Sequence, residues 1–304
     1  LRIGPSTDEL TDFAVGWLDA HRQTDFFLWL HYFNPHIPYA PPAEFLPKDG
    51  STATVANRFS DVGRVRSGHL SPDQADRERI QALYLAEVRY VDAAIGRVIA
   101  TLVRLGIYDE SLIVLTSDHA EEFWEHGGFE HGHSLYREVL DVPLIVKRPA
   151  PPPPLQTISI PVSTQGVMPT ILDMCAIGFD AETLSGPSLR SLWSGAAVTD
   201  EPTPVVSTGL LFYENRIAAE FDGYKYIRSL ISGHEELFDH KTDTRELRDV
   251  SDTSPDALAK ARNVLADHEE RSAALRAHYG ITKPEQHELD EDTRNRLRAL
   301  GYVE

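Results

Sequence analysis

The sequence predicts an α/β layer fold with a mostly parallel central sheet, followed by a small C-terminal α+β subdomain with an antiparallel sheet. Three observations carry this. All-apolar runs such as "FFLWL" (26–30) and "LIVL" (112–115) alternate with long amphipathic stretches, the pattern of strands covered on both faces by helices. Beyond about residue 200 the helical periodicity gives way to short strand-like runs punctuated by turn residues. The richest polar segment, "TSDHAEEFWEHGGFEHGHSLY" (116–136), follows directly on an apolar strand, where open α/β sheets place their ligands.

The elements follow in order. "STDELTDFAVGWLDAHR" predicts an amphipathic helix. Ser6 and Glu9 have capping-box spacing, and Leu10, Phe13, Ala14, Trp17 and Leu18 form its apolar stripe. "FFLWL" predicts a buried parallel strand, and "NPHIPYAPP" a proline-rich loop after it. A long helix is predicted from Ser71-Pro72 to Gly106, with Ile80, Leu83, Val88, Val91, Ile95, Val98, Ile99 and Leu102 at helical spacing. "SLIVLTS" and "VPLIVKRP" are two further strands, and "APPPP" (150–154) a stiff loop. A short helix is predicted over 166–177. "TPVVSTG", "NRIAAEF", "YKYIRSL" and "EELFD" predict the antiparallel sheet, with Asp222-Gly223 as a two-residue hairpin turn. The tail reads as helical over 254–277 and 290–300. The division expected is 1–198 for the larger α/β domain and 199–304 for the C-terminal subdomain.

Composition narrows the partners. The 304 residues are 41% hydrophobic and 25% charged, ordinary for a globular protein. No apolar run reaches the ~18 residues of a membrane span. The net charge of -18 repels phosphate backbones and argues against a nucleic-acid partner. Cys175, the single cysteine, cannot form an internal disulfide, and its setting in "VMPTILDMCAIG" predicts a small core residue.

The chemistry sits in the loops after strands. Asp118 and His119 end one strand, and a carboxylate beside a second polar ligand suits a hard divalent cation. The alternative for Asp118 is a helix N-cap. His31 and His36 follow "FFLWL", and the prolines around His36 suit a rigid loop that holds an imidazole. The alternative is a surface histidine. His126, His131 and His133 lie on a glycine-rich loop. Glu121 and Glu122 follow the metal candidate; a charge run is ordinarily a solvated face, and the functional reading places them behind the ligands as supporting groups. Neither His-x-x-x-His nor His-Glu-x-x-His occurs, and the tight "HGH" spacing does not favour both rings on one ion. The residues alone point to metal-assisted chemistry on an anion.

"FFLWLHYFNPHIPYAPP", "YLAEVRYVDAAIGRVIATL", "LIVLTSDHAEEFWEHGGFEHGHSLYREVLDVPLIV" and "HEELFDHKTD" together resemble the sulfatase family of the alkaline phosphatase superfamily, in order from about residue 10 to 250. The ending "RLRALGYVE" is similar to tails of some bacterial members. The resemblance implies an alkaline-phosphatase-like sandwich and hydrolysis of sulfate esters, small-molecule or carbohydrate, by a formylglycine nucleophile beside Ca2+. By the same resemblance, Asp118 and His119 match metal ligands, and His36 the "PHxP" histidine at the sulfate. His131 matches the leaving-group position of "HGxSLY", with His133 able to share it, and His31 is a pocket neighbour.

The family's Cys/Ser-x-Pro-x-Arg nucleophile motif is absent, as are its early Asp-Asp metal pair and first lysine. Ala120 stands where most relatives carry Gly. The expectation is therefore a C-terminal portion of the catalytic domain. Its sheet is incomplete at the N-terminus, its partner is the missing N-terminal segment, and it is inactive alone. Arg58, Arg64 and Arg66 with the aromatics of 44–70 point to an anionic or sugar substrate, or are simply solvated. A periplasmic or secreted location is a family expectation. Two alternatives stand: a phosphodiesterase, phosphonate hydrolase or phosphoglycerol transferase of the superfamily, with Zn2+ or Mn2+, and a non-catalytic binding module.

Overall fold

Ser6 opens the first helix as the capping box predicts: its hydroxyl accepts from the Glu9 N–H, and the Glu9 carboxylate accepts from the Ser6 N–H. The computed structural model describes residues 6–48, 59–150, 156–193, 203–211, 214–281, 290–291 and 293–294. Arg58, the prolines at 151–154, the expected boundary at 198/199 and the "RLRALGYVE" tail lie outside these residues. The chain divides into two compact units, one mainly of residues up to 111 and one mainly of residues 112–287.

The first unit contains α1 (Thr7–His21), α2 (Phe59–Arg66) and α3 (Gln74–Arg104), with α1 packed on α3. Helix α2 lies within 44–70, where the sequence predicts a loop. Thr7, Thr11, Ala14 and Leu18 take the buried side of α1. Small side chains let the helices approach, and Phe13, expected on the stripe, faces out instead. Ile80, Leu83, Ala86, Tyr90, Ala94 and Leu102 bury the matching stripe of α3, with Glu87 among them. Ion pairs flank the contact: Arg104 grips Asp19 with bonds of 2.9 and 3.0 Å, and Arg97 reaches Asp8 at 3.3 Å.

Residues 26–30 correct the sequence reading. They form no regular element and join no ladder among the described residues, and Phe27 and Trp29 are 71% and 76% exposed. An all-apolar run makes a strand only where a partner offers backbone groups.

The second unit begins with β1 (Ile113–Thr116), β2 (Glu122–Phe123), β3 (Phe129–Glu130), α4 (Arg137–Leu140) and β4 (Leu144–Lys147). β1 and β4 pair antiparallel, and every described strand pairing is antiparallel rather than parallel. A parallel return needs a helix long enough to run back along the sheet. The four residues of α4 span only about 6 Å, so the chain doubles back on the same end of β1. Helix α5 (Val167–Met174) follows. Cys175, expected in the core, caps its end and is exposed, since five positions beyond the buried Thr170 it falls about 140° round the helix axis.

The C-terminal sheet runs in the order β5 (Val205–Thr208), β6 (Arg216–Phe221), β7 (Tyr224–Ser229), β8 (Glu235–Asp239), and α6 (Pro255–His278) follows it. Period-two alternation assigns its faces. Ile217, Ala219, Phe221, Tyr226 and Leu237 pack with Ala261 and Leu265 of α6. Ala218, Ile227 and Phe238 pack on the other face with Leu135, just before α4. Burial of leucines such as Leu237 and Leu265 contributes about 1.5–3 kcal/mol apiece. Among the described residues no helix is long and apolar enough to cross a membrane.

The predicted hairpin turn is present. Asp222 and Gly223 both adopt positive φ, +51 and +83, as right-twisted two-residue turns require. A Cβ on Gly223 would also press on Lys241 Cε at 3.1 Å. Gly223→Ala is expected to cost about 1–2 kcal/mol in urea unfolding. Gly16→Ala in α1, where a Cβ meets nothing within 4 Å, is expected to add about 0.5–1 kcal/mol. Equal effects at the two sites would refute the turn assignment.

Candidate active site

The turn after β1 is tightly organised. Ser117 Oγ donates to the His119 carbonyl at 2.6 Å, and the Ala120 N–H donates to the Val139 carbonyl at 2.9 Å. No helix starts at Asp118: its Oδ1 accepts only the local His119 N–H, at 3.1 Å, and its side chain is 75% exposed. The N-cap alternative is therefore set aside. Ala120 does not adopt a positive φ, so its methyl group is accommodated in the turn. His119 Nδ1 donates to the Ala120 carbonyl at 2.9 Å. Its Nε2 lies 3.9 Å from Asp118 Oδ1.

His131 lies flat against His119, with ring centroids 3.7 Å apart. Its Nδ1 donates to Glu121 Oε1 at 2.8 Å, and both side chains are buried. Burial opposes a charge on His131. The Glu121 bond, with the charges of Glu121, Glu130 and Asp118, outweighs it and holds the pKa above the usual histidine value.

The intervening hairpin explains the remaining residues. β2 and β3 pair across a turn in which Trp124 and Gly127 have positive φ, and Trp124 stacks on Phe129. Glu122 is buried beneath it. It accepts from the N–H of Gly128 at 2.6 Å and of His126 at 3.1 Å, from His133 Nε2 at 2.7 Å and from Ser134 Oγ at 3.3 Å. Burial works against its ionisation, but His133 and these backbone donors prevail and keep its pKa below the ordinary carboxylate value. A Cβ on Gly128 would run into His133 Nε2 and Glu122, so glycine there admits the His133 ring. His133 is thus turned to Glu122 and His131 to Glu121. His126 donates to Glu138 and to the Glu246 carbonyl, and lies stacked on Tyr136.

The charge run at Glu121 and Glu122 is therefore not a solvated face; both carboxylates are buried partners of histidines. In the first unit, Glu87 is a further residue the sequence reading passed over. It accepts from Asn34 Nδ2 and from the Ala40 N–H, each at 2.7 Å, and so fixes the two ends of the His36 loop. Its pKa is raised because burial outweighs those two bonds. His36 Nδ1 donates to the Ile37 carbonyl at 2.8 Å, and His31 is exposed.

Residues 3–177 match the family model of the sulfatases. A sulfatase of Formosa agariphila is 27% identical over 252 residues, which cover 77% of this chain and 48% of that protein. The phosphonate monoester hydrolase SpPMH from Silicibacter pomeroyi has a TM-score of 0.72 at 23% identity, over 88% of this chain and 60% of that one. A protein solved with its substrate D-glucosamine-2-N,6-O-disulfate has a TM-score of 0.64 at 19% identity, over 94% and 72%. The fold these two solved structures share with the chain is the alkaline-phosphatase-like α/β fold, and the chain carries a C-terminal antiparallel sheet of four strands. The chain spans about half the length, or less, of the curated relatives it matches.

Proposed function

The chain belongs to the sulfatase family, and on that footing we propose that it carries part of the active site of a sulfuric ester hydrolase. The observation that supports this best is the His119–His131 stack beside Asp118, with Glu121 buried behind it. Asp118 and His119 are the proposed ligands of a divalent cation, Ca2+ first, with Zn2+ or Mn2+ as alternatives. Their donor atoms lie 3.9 Å apart, a separation compatible with two bonds of about 2.0–2.6 Å to one ion. A bound dication offsets charge on sulfuryl oxygens. His131, oriented by its bond to Glu121, donates a proton to the bridging oxygen as the S–O bond breaks. His36 contacts the sulfate, and His133 supports the loop from Glu122.

No Cys/Ser-x-Pro-x-Arg motif occurs in the sequence. In this reading a formylglycine nucleophile comes from outside these residues, and the chain alone does not turn over. The proposed substrate is a carbohydrate sulfate, by extension from the sulfated glucosamine bound to a protein of the same fold. A phosphonate or phosphate ester is the second reading, since a phosphonate monoester hydrolase shares that fold.

The natural gene product distinguishes these readings. Faster hydrolysis of para-nitrophenyl sulfate than of para-nitrophenyl phenylphosphonate, with formylglycine found by peptide mass mapping, is expected. Faster phosphonate cleavage with an unmodified Ser or Thr moves the assignment to phosphoryl chemistry. No hydrolysis of either ester leaves a binding module.

A further inference from the structure

The histidine loop is clasped at both ends by one residue more than a hundred positions away in sequence. Glu246 follows β8 and is 1% exposed, with a backbone φ of +55. A glutamate held in that left-handed region is strained and persists only where its surroundings fix it. Its carbonyl accepts from His126 Nε2 at 2.9 Å, where the loop begins, and its Oε2 accepts from the Arg137 N–H at 3.0 Å, where the loop ends. Its Oε1 accepts from His240 Nε2 at 2.8 Å and lies 3.3 Å from the ammonium of Lys225, a fully buried residue of β7. Lys225 also faces its cross-strand partner Glu220 at 3.6 Å.

The clasp is reinforced from the loop's own side. His126 lies on Tyr136 at 3.8 Å, and Tyr136 donates to Glu236 of β8 at 2.9 Å. Between the two ends, the Gly132 carbonyl accepts from the Leu211 N–H at 2.9 Å. The position of His131 is thus referred to the C-terminal sheet. Glu246 itself makes no bond to His131; it acts through His126 and Arg137.

We infer that Glu246 is a positioning residue, which sets where His131 meets the leaving group by tying both ends of the histidine loop to the C-terminal sheet. The inference rests on the reading of His131 as the leaving-group acid. A glutamine at 246 turns an N–H2 toward donors that a carboxylate satisfies, while an aspartate keeps the charge and shortens the reach.

The test uses Glu246→Gln and Glu246→Asp in the natural gene product. Two readouts are followed: the His131 imidazole signal with 13Cε1-labelled histidine, assigned through His131→Asn, and the dependence of kcat on leaving-group acidity across substituted phenyl sulfates. In E246Q the His131 signal is expected to move while that of His278, at the end of α6, stays. Phenyl sulfate should lose at least about tenfold more kcat than para-nitrophenyl sulfate, KM should change little, and E246D should recover part of the loss. An unmoved His131 signal, or equal losses across the esters, overturns the inference. If the wild type hydrolyses no sulfate ester, the functional reading fails, and the His131 signal still decides the positioning role. If E246Q does not fold, His240→Gln removes one bond to Oε1 from a half-buried site and carries the same two readouts.

Discussion

Replacing His131 by Asn should slow hydrolysis of phenyl sulfate by about 10²- to 10⁴-fold in the enzyme that carries its nucleophile, the usual range for a lost general acid. The loss should fall with para-nitrophenyl sulfate, whose phenolate departs without a proton. The reason lies in the geometry. His131 is buried, its Nδ1 is committed to Glu121 at 2.8 Å, and that bond orients the ring and favours its charged form. Steady-state kinetics on the two esters measure the difference. Equal losses would assign His131 to binding rather than proton donation.

Glu122→Leu should destabilise the fold by about 3–5 kcal/mol in urea unfolding, because it leaves buried donors without a carboxylate. Those donors are the N–H groups of Gly128 and His126, the His133 ring and the Ser134 hydroxyl. The sign of the pH effect follows from the depressed Glu122 pKa. Such a group contributes stability above its unfolded value of about 4.3, and the contribution is lost as the pH falls through the lower folded value. The wild type should therefore weaken below about pH 4 more steeply than the variant. A loss under about 1 kcal/mol, or parallel acid limbs, would show that the hairpin does not depend on Glu122.

The local elements were legible because their signals are local. Helical spacing marked α3, short runs between turn residues marked the C-terminal strands, and Asp222-Gly223 marked a turn that does carry two positive φ values. "FFLWL" was not legible, since an apolar run reads alike in a ladder or in extended coil, and its partner is a non-local matter. Cys175 misled because its neighbours are apolar, yet the helix ends one residue before it. At the site, the "HGH" spacing argued only against both rings on one ion, and it left open which carboxylate each ring meets. The glutamates were harder. A carboxylate's burial has no sequence mark except where it interrupts an apolar stripe, as Glu87 does between Leu83 and Tyr90. Glu121 and Glu122 follow the metal candidate within a charge run, which left a supporting role and a solvated face both open. Glu246 gave no signal, because its partners at Arg137 and His126 lie 109 and 120 positions away.

The measurement to make is a calorimetric titration of the natural gene product with Ca2+, beside Asp118→Ala. One ion per chain in the wild type, with binding lost or greatly weakened in D118A, is what the proposed pairing of Asp118 with His119 requires. The same stoichiometry and affinity in both proteins would mean that the strand-end pair holds no metal and that the sulfatase reading of this site is wrong.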